Sequence, residues 1–91
     1  MDSVEVLSMK PFAYDGIDEN DRMVTVNLAW KGRYFLIAFG LTTRGKIKIM
    51  PPTFEVHNKR EHTLLSADDL PRAIRLWIQE MKPTLLIALK G

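Results

Sequence analysis

Few residue types in this chain could carry chemistry. It holds two histidines and no cysteine. Without cysteine there is no disulfide framework, no thiolate metal cluster and no thiol nucleophile. Glu55, His57, Glu61 and His62 are the one cluster of acid–base or ligand types outside the N-terminal segment. Zinc needs at least three convergent ligands. A strand followed by a polar turn does not bring these four side chains to one point, so they are expected to be ordinary surface residues. A second grouping is Asp15, Asp18, Glu19 and Asp21. Calcium takes about six or more oxygens at a set spacing, with a glycine for the turn. Here Gly16 follows the first carboxylate at once, Ile17 stands where a ligand is needed, and no closing Glu follows. A solvated loop is the expectation. The serines, Ser3, Ser8 and Ser66, lie in no nucleophile elbow, and Ser66 reads as a cap. The glycines at 16, 32, 40, 45 and 91 are scattered turn residues and form no phosphate loop. No catalytic residue, metal or cofactor is therefore expected, because a claim of activity must rest on a site.

The charges are more informative. Thirteen Lys and Arg stand against eleven Asp and Glu, a formal net charge of +2 over 91 residues. Residues 1–21 carry six acids and one base, and residues 22–91 carry twelve bases and five acids. An acidic leader precedes a basic body, which is a legitimate statement about partners. The plain alternative is that the leader folds over the body and neutralises it.

These side chains must be positioned by a small number of elements. The length supports one domain, spanning residues 1–91, and a small core. No stretch approaches the roughly 20 apolar residues of a membrane span. The start, Met1-Asp2-Ser3-Val4-Glu5, lacks the basic lead and apolar run of a secretory signal. A cytoplasmic protein without membrane contact is expected. Val4, Val6 and Leu7 suggest a first strand, interrupted or held to an edge by Lys10-Pro11. Residues 15–21 read as a loop.

The clearest signal is a hairpin. Val24, Val26, Leu28 and Trp30 alternate with Thr25, Asn27 and Ala29, and Lys31-Gly32 offers a two-residue turn into Arg33–Phe39. Such a turn pairs 30 with 33, 28 with 35, 26 with 37 and 24 with 39. One face is then Val24, Val26, Leu28, Trp30, Phe35, Ile37 and Phe39, which suits a core. The other is Thr25, Asn27, Ala29, Tyr34, Leu36 and Ala38. Gly40–Gly45 reads as a second turn. Lys46–Met50 alternates again, with Ile47 and Ile49 inward and Lys46 and Lys48 outward. Pro51-Pro52 breaks the strand. Thr53–His57 is a further short strand with Phe54 and Val56 inward, and Asn58–His62 is a polar turn.

Leu70, Ala73, Ile74, Trp77, Ile78 and Met81 fall on one helical stripe. Asp68 is the expected N-cap, which leaves Pro71 in the first turn where its missing N–H does not matter, with Ser66 in a preceding turn. Pro83 is expected to end the helix near Met81–Lys82. The apolar tail 83–91 could be a strand or a short helix.

The resulting expectation is an α+β domain. A four- or five-stranded, mostly antiparallel sheet packs one face on a helix within 66–82. Trp77 meets Trp30, Phe35 and Phe39 in the core. Strands followed by one helix resemble, in outline, the coactivator-type single-strand-binding domains, although no individual residue carries the likeness.

Function is expected to lie on the outer sheet face. Ala29, Leu36 and Ala38 form an apolar strip ringed by polar and basic residues, the pattern of a protein interface. The expected contacts are Tyr34, Leu36, Lys46, Lys48, Lys59 and Arg60, with Arg72 and Arg75 as a second basic surface. The expected role is a small inhibitor or adaptor, for instance one encoded by a phage or mobile element, that blocks a larger host protein or a nucleic-acid-handling complex. Two alternatives stand beside it. One is single-stranded DNA or RNA binding by the basic face, with cations on phosphates and Tyr34 on a base. The other is a homodimer through the sheet face or the apolar tail.

Overall fold

The computed structural model describes residues 3–12 and 23–90. The expected acidic loop lies outside them. Five strands follow one another across a single antiparallel sheet: β1 (Glu5–Phe12), β2 (Met23–Trp30), β3 (Arg33–Leu41), β4 (Ile47–Val56) and β5 (His62–Leu64). One helix, α1 (Arg72–Lys90), follows them. The α+β expectation holds.

The β2–β3 hairpin has the register that the alternation requires. Val24 faces Phe39, Val26 faces Ile37, Leu28 faces Phe35 and Trp30 faces Arg33. Lys31 and Gly32 both have positive φ, 48° and 73°. That is the backbone a two-residue hairpin turn demands to match the twist of its strands. The inward side chains of Val24, Val26, Leu28, Phe35, Ile37 and Phe39 are all buried. Trp30 and Trp77 lie at the margin of this core, partly buried against it.

β1 pairs with β2 along the sheet edge and slips register between Val6 and Ser8. Pro11 is accommodated because an edge strand needs only one side of its ladder. β3 runs further than expected. Gly40 is not in a turn but in the strand opposite Lys48, where a Cβ would collide with the Met50 side chain. The turn proper is closed by Thr42, whose N–H donates to the Lys46 carbonyl and whose Oγ1 accepts from the Lys46 N–H.

β4 corrects the reading of residues 46–57. The prolines do not split it into two strands. Ala38 faces Met50 and Leu36 faces Phe54, so four steps of β4 span two of β3. The irregularity inserts two residues. Because that number is even, the alternation of faces continues across it. On either side of Pro51-Pro52, odd residues are inward, with Ile47 and Ile49 against the core and Thr53 buried. Even residues stay outward, so Phe54 and Val56 are on the outer face, opposite Leu36 and Tyr34. Thr53 seals the irregularity: its Oγ1 donates to the Met50 carbonyl (2.9 Å) and accepts from the Ala38 N–H (3.2 Å). Three residues expected in or beside a polar turn, His62–Leu64, form β5 against Phe54–Val56.

The helix is also longer than expected. A 3-10 turn, Ala67–Asp69, precedes it, with the Ser66 N–H and Oγ both donating to Asp69 Oδ2. Those two bonds hold the Asp69 carboxyl below its usual pKa. Asp68 lies in this turn and is not the N-cap. The chain enters α1 at Pro71, whose carbonyl accepts from the N–H groups of Ile74 and Arg75. Pro83 lies inside the helix. A mid-helix proline costs about 3 kcal/mol. What offsets it is the stripe beyond: Leu85 and Leu89 are 0% and 2% exposed. Each fully buried leucine contributes about 1.5–3 kcal/mol. The apolar tail is thus the second half of α1. Its inward stripe, Ile74, Ile78, Leu85 and Leu89, covers the inner sheet face.

Candidate protein interface on the outer sheet face

With α1 on the inner face, the opposite face carries the candidate contacts. The register sets them out in rows. Ala29, Tyr34, Val56 and His62 form one row, and Asn27, Leu36, Phe54 and Leu64 the next. Thr25, Ala38 and Met50 form a third, and Gly40 and Lys48 a fourth. Tyr34 is 51% exposed and Leu64 69%, while Leu36, Phe54 and Val56 are part-exposed. Three neighbouring strands therefore bear an apolar band on this face.

The bases flank the band at both ends. Lys48 is outward and exposed, about 14 Å along the sheet from the Leu36 row at roughly 3.4 Å per residue. Lys46 precedes it at the same end. Lys59 and Arg60 are exposed in the β4–β5 turn at the other end. That turn is held by Asn58, whose Oδ1 accepts from the N–H groups of Arg60 and Glu61. Tyr34, Leu36, Lys46, Lys48, Lys59 and Arg60 thus belong to one face and its two ends. Arg72 and Arg75 do not join them, because they are exposed on α1, across the sheet.

Two aromatics were missed. Phe54 and His62 stand outward beside Tyr34, and their ring centroids lie 4.8 Å apart. The signal that could have placed them is the even numbering shared by Lys46, Lys48, Phe54, Val56 and His62. His57 Nε2 lies 2.8 Å from Thr63 Oγ1. Glu55 points inward, in a bidentate pair with Arg33 at 2.8 Å for each bond. Its hydrogen bonds from Arg33 lower its pKa, while partial burial opposes them. The Arg33 guanidinium also sits 5.8 Å from the Trp30 ring centroid and 5.2 Å from that of Phe35. It covers the end of the core. Among the described residues no three His, Asp or Glu side chains are grouped to hold a metal. No helix among them is long and apolar enough to cross a membrane.

The chain matches no protein-family model, no curated protein and no solved structure. The functional reading rests on the face itself.

Proposed function

We propose that this protein is a non-enzymatic binding module, an inhibitor or adaptor that docks the outer face of its sheet on a larger protein. The observation that carries this reading is the apolar band of Leu36, Phe54, Val56 and Leu64 on the face opposite the helix, with lysines and arginine at its ends. An apolar centre with a polar rim is the anatomy of a protein interface. Tyr34 at the band's edge supplies the amphipathic aromatic that often anchors such contacts. A blocker encoded by a phage or mobile element remains one concrete form of the proposal.

A second reading has its own support. Tyr34, Phe54 and His62 put three rings near Lys59 and Arg60, and rings with cations are how single-strand binders hold bases and phosphates.

One experiment separates them. The wild-type chain and Leu36→Asp are used as bait in an extract of the native host, with and without nuclease. We expect a protein partner retained by wild type after nuclease and lost by Leu36→Asp, with both baits showing the same thermal unfolding. Capture abolished by nuclease, and weakening steeply with salt as counterions are released, would select the nucleic-acid reading. Unfolding of Leu36→Asp would place Leu36 in the core and remove the site.

A further inference from the structure

The sheet has one guarded edge and one open one. β1 is guarded by its register slip, by Lys10 and by Pro11, the devices that natural sheets use against edge pairing. At the other edge β5 reaches only Phe54–Val56. From Ile47 to Met50, no described strand lies beside β4 on its far side. The turn shows which backbone groups face that way. The Lys46 N–H and C=O both bond to Thr42, on the β3 side. In an antiparallel ladder, alternate residues direct their groups to opposite edges. Lys48 therefore turns its groups towards β3, and Ile47 and Ile49 turn theirs to the open edge. Beside them is a groove of about 400 Å³ whose walls include Ile49, Met50, Leu64 and Leu65. Leu64 is also a member of the outer band and Met50 lies on the same outer face, so the groove opens onto that face.

We propose that this edge takes an extended segment of the partner protein as a sixth strand. Only for the existence of a protein partner does this rest on the outer-face reading. The partner segment alternates apolar and acidic residues. Residues opposite Ile47 and Ile49 share the inner face and extend the core into the groove. A residue opposite Lys48 shares the outer face, where a carboxylate is favoured and a cation disfavoured. The same residues disfavour a second copy of this chain. If two β4 edges paired about Lys48, that lysine would face its own copy; centring the pair on Ile47 would put Lys46 opposite Lys48, and centring it on Ile49 would set Ile47 against Pro51, which has no N–H to donate. Like charges directly opposite destabilise such pairs.

The test uses an acetylated, amidated octapeptide of alternating valine and glutamate, with its valine–lysine counterpart as control. Amide exchange is followed by NMR in the full chain. At saturation the acidic peptide is expected to slow exchange at Ile47 and Ile49 about tenfold or more, and the basic one to leave it unchanged. N-methylation of alternate peptide residues should abolish the effect, because strand addition works through backbone hydrogen bonds. Lys48→Glu, an exposed change, should reverse the preference. Exchange at Ile47 and Ile49 unaffected by the acidic peptide, or slowed equally by both, overturns the proposal. Slowing in the protein alone that grows with its concentration assigns the edge to a second copy and also overturns it. Leu36→Asp should leave the peptide effect intact, so failure of the outer face and failure of the edge are read separately.

Discussion

Leu85→Ala tests whether the helix beyond Pro83 is held by the core. Leu85 is fully buried among the sheet's inward side chains. Truncating a buried leucine removes its transfer free energy and leaves a cavity, for about 2–5 kcal/mol. A domain of this size has a net stability of about 5–14 kcal/mol, so a loss near 3 kcal/mol is a large share of it. With a urea dependence of about 1–1.5 kcal/mol per molar, the midpoint should fall by about 2–3 M. Ile87→Ala is the internal control. Ile87 is two residues away on the same helix but 75% exposed, and its truncation should change stability by no more than about 0.5 kcal/mol. The assay is urea unfolding followed by far-UV circular dichroism and by the fluorescence of Trp30 and Trp77. Equal shifts for the two variants, or a Leu85→Ala loss within 0.5 kcal/mol, would mean that the helix beyond Pro83 is not docked.

Thr53→Val should cost about 1–3 kcal/mol despite its similar shape, because it strands the buried Ala38 N–H whose partner is the Thr53 hydroxyl; unfolding midpoints check this, and a neutral result would mean that water replaces the hydroxyl. The Arg33–Glu55 pair should show a defined pH signature. Glu55 has its pKa lowered in the fold, so the pair's stabilisation is present above the unfolded value of about 4.3 and is lost as pH falls through the folded value. The stability difference between wild type and Glu55→Gln should be flat near neutrality, under about 1 kcal/mol because the Arg33 side chain is 46% exposed, and should shrink in acid; a difference that widens in acid would refute the assignment.

The parts legible in the sequence were those where local pattern and turn chemistry agreed. Alternation from Val24 to Phe39 and the Lys31-Gly32 turn fixed one register, since a slip of one residue would have put Phe35 and Ile37 in water. The same logic placed Tyr34 and Leu36 outward. Two proline sites misled in the same way. Pro51-Pro52 reads as a strand end, yet β4 absorbs it as an insertion that keeps the parity of faces, and Phe54 moves from the expected core to the outer face. Pro83 reads as a helix end, yet burial of Leu85 and Leu89 outweighs its local cost. In both cases a rule about single residues lost to tertiary burial, which no local window contains. β5 was invisible because three residues, His62–Leu64, are too few to show a period.

The placement of α1 has a consequence for biosynthesis. Among the described elements it follows all five strands, and its stripe is what shields Val26, Ile37 and Phe39 from water. At about 5–20 residues per second, the ribosome takes roughly 1–4 s to add the nineteen residues of that helix. Until α1 has been made and has left the ribosome, no described segment of the chain covers the sheet's apolar inner face, so exposure to aggregation, and the call on chaperones, is greatest before the helix docks.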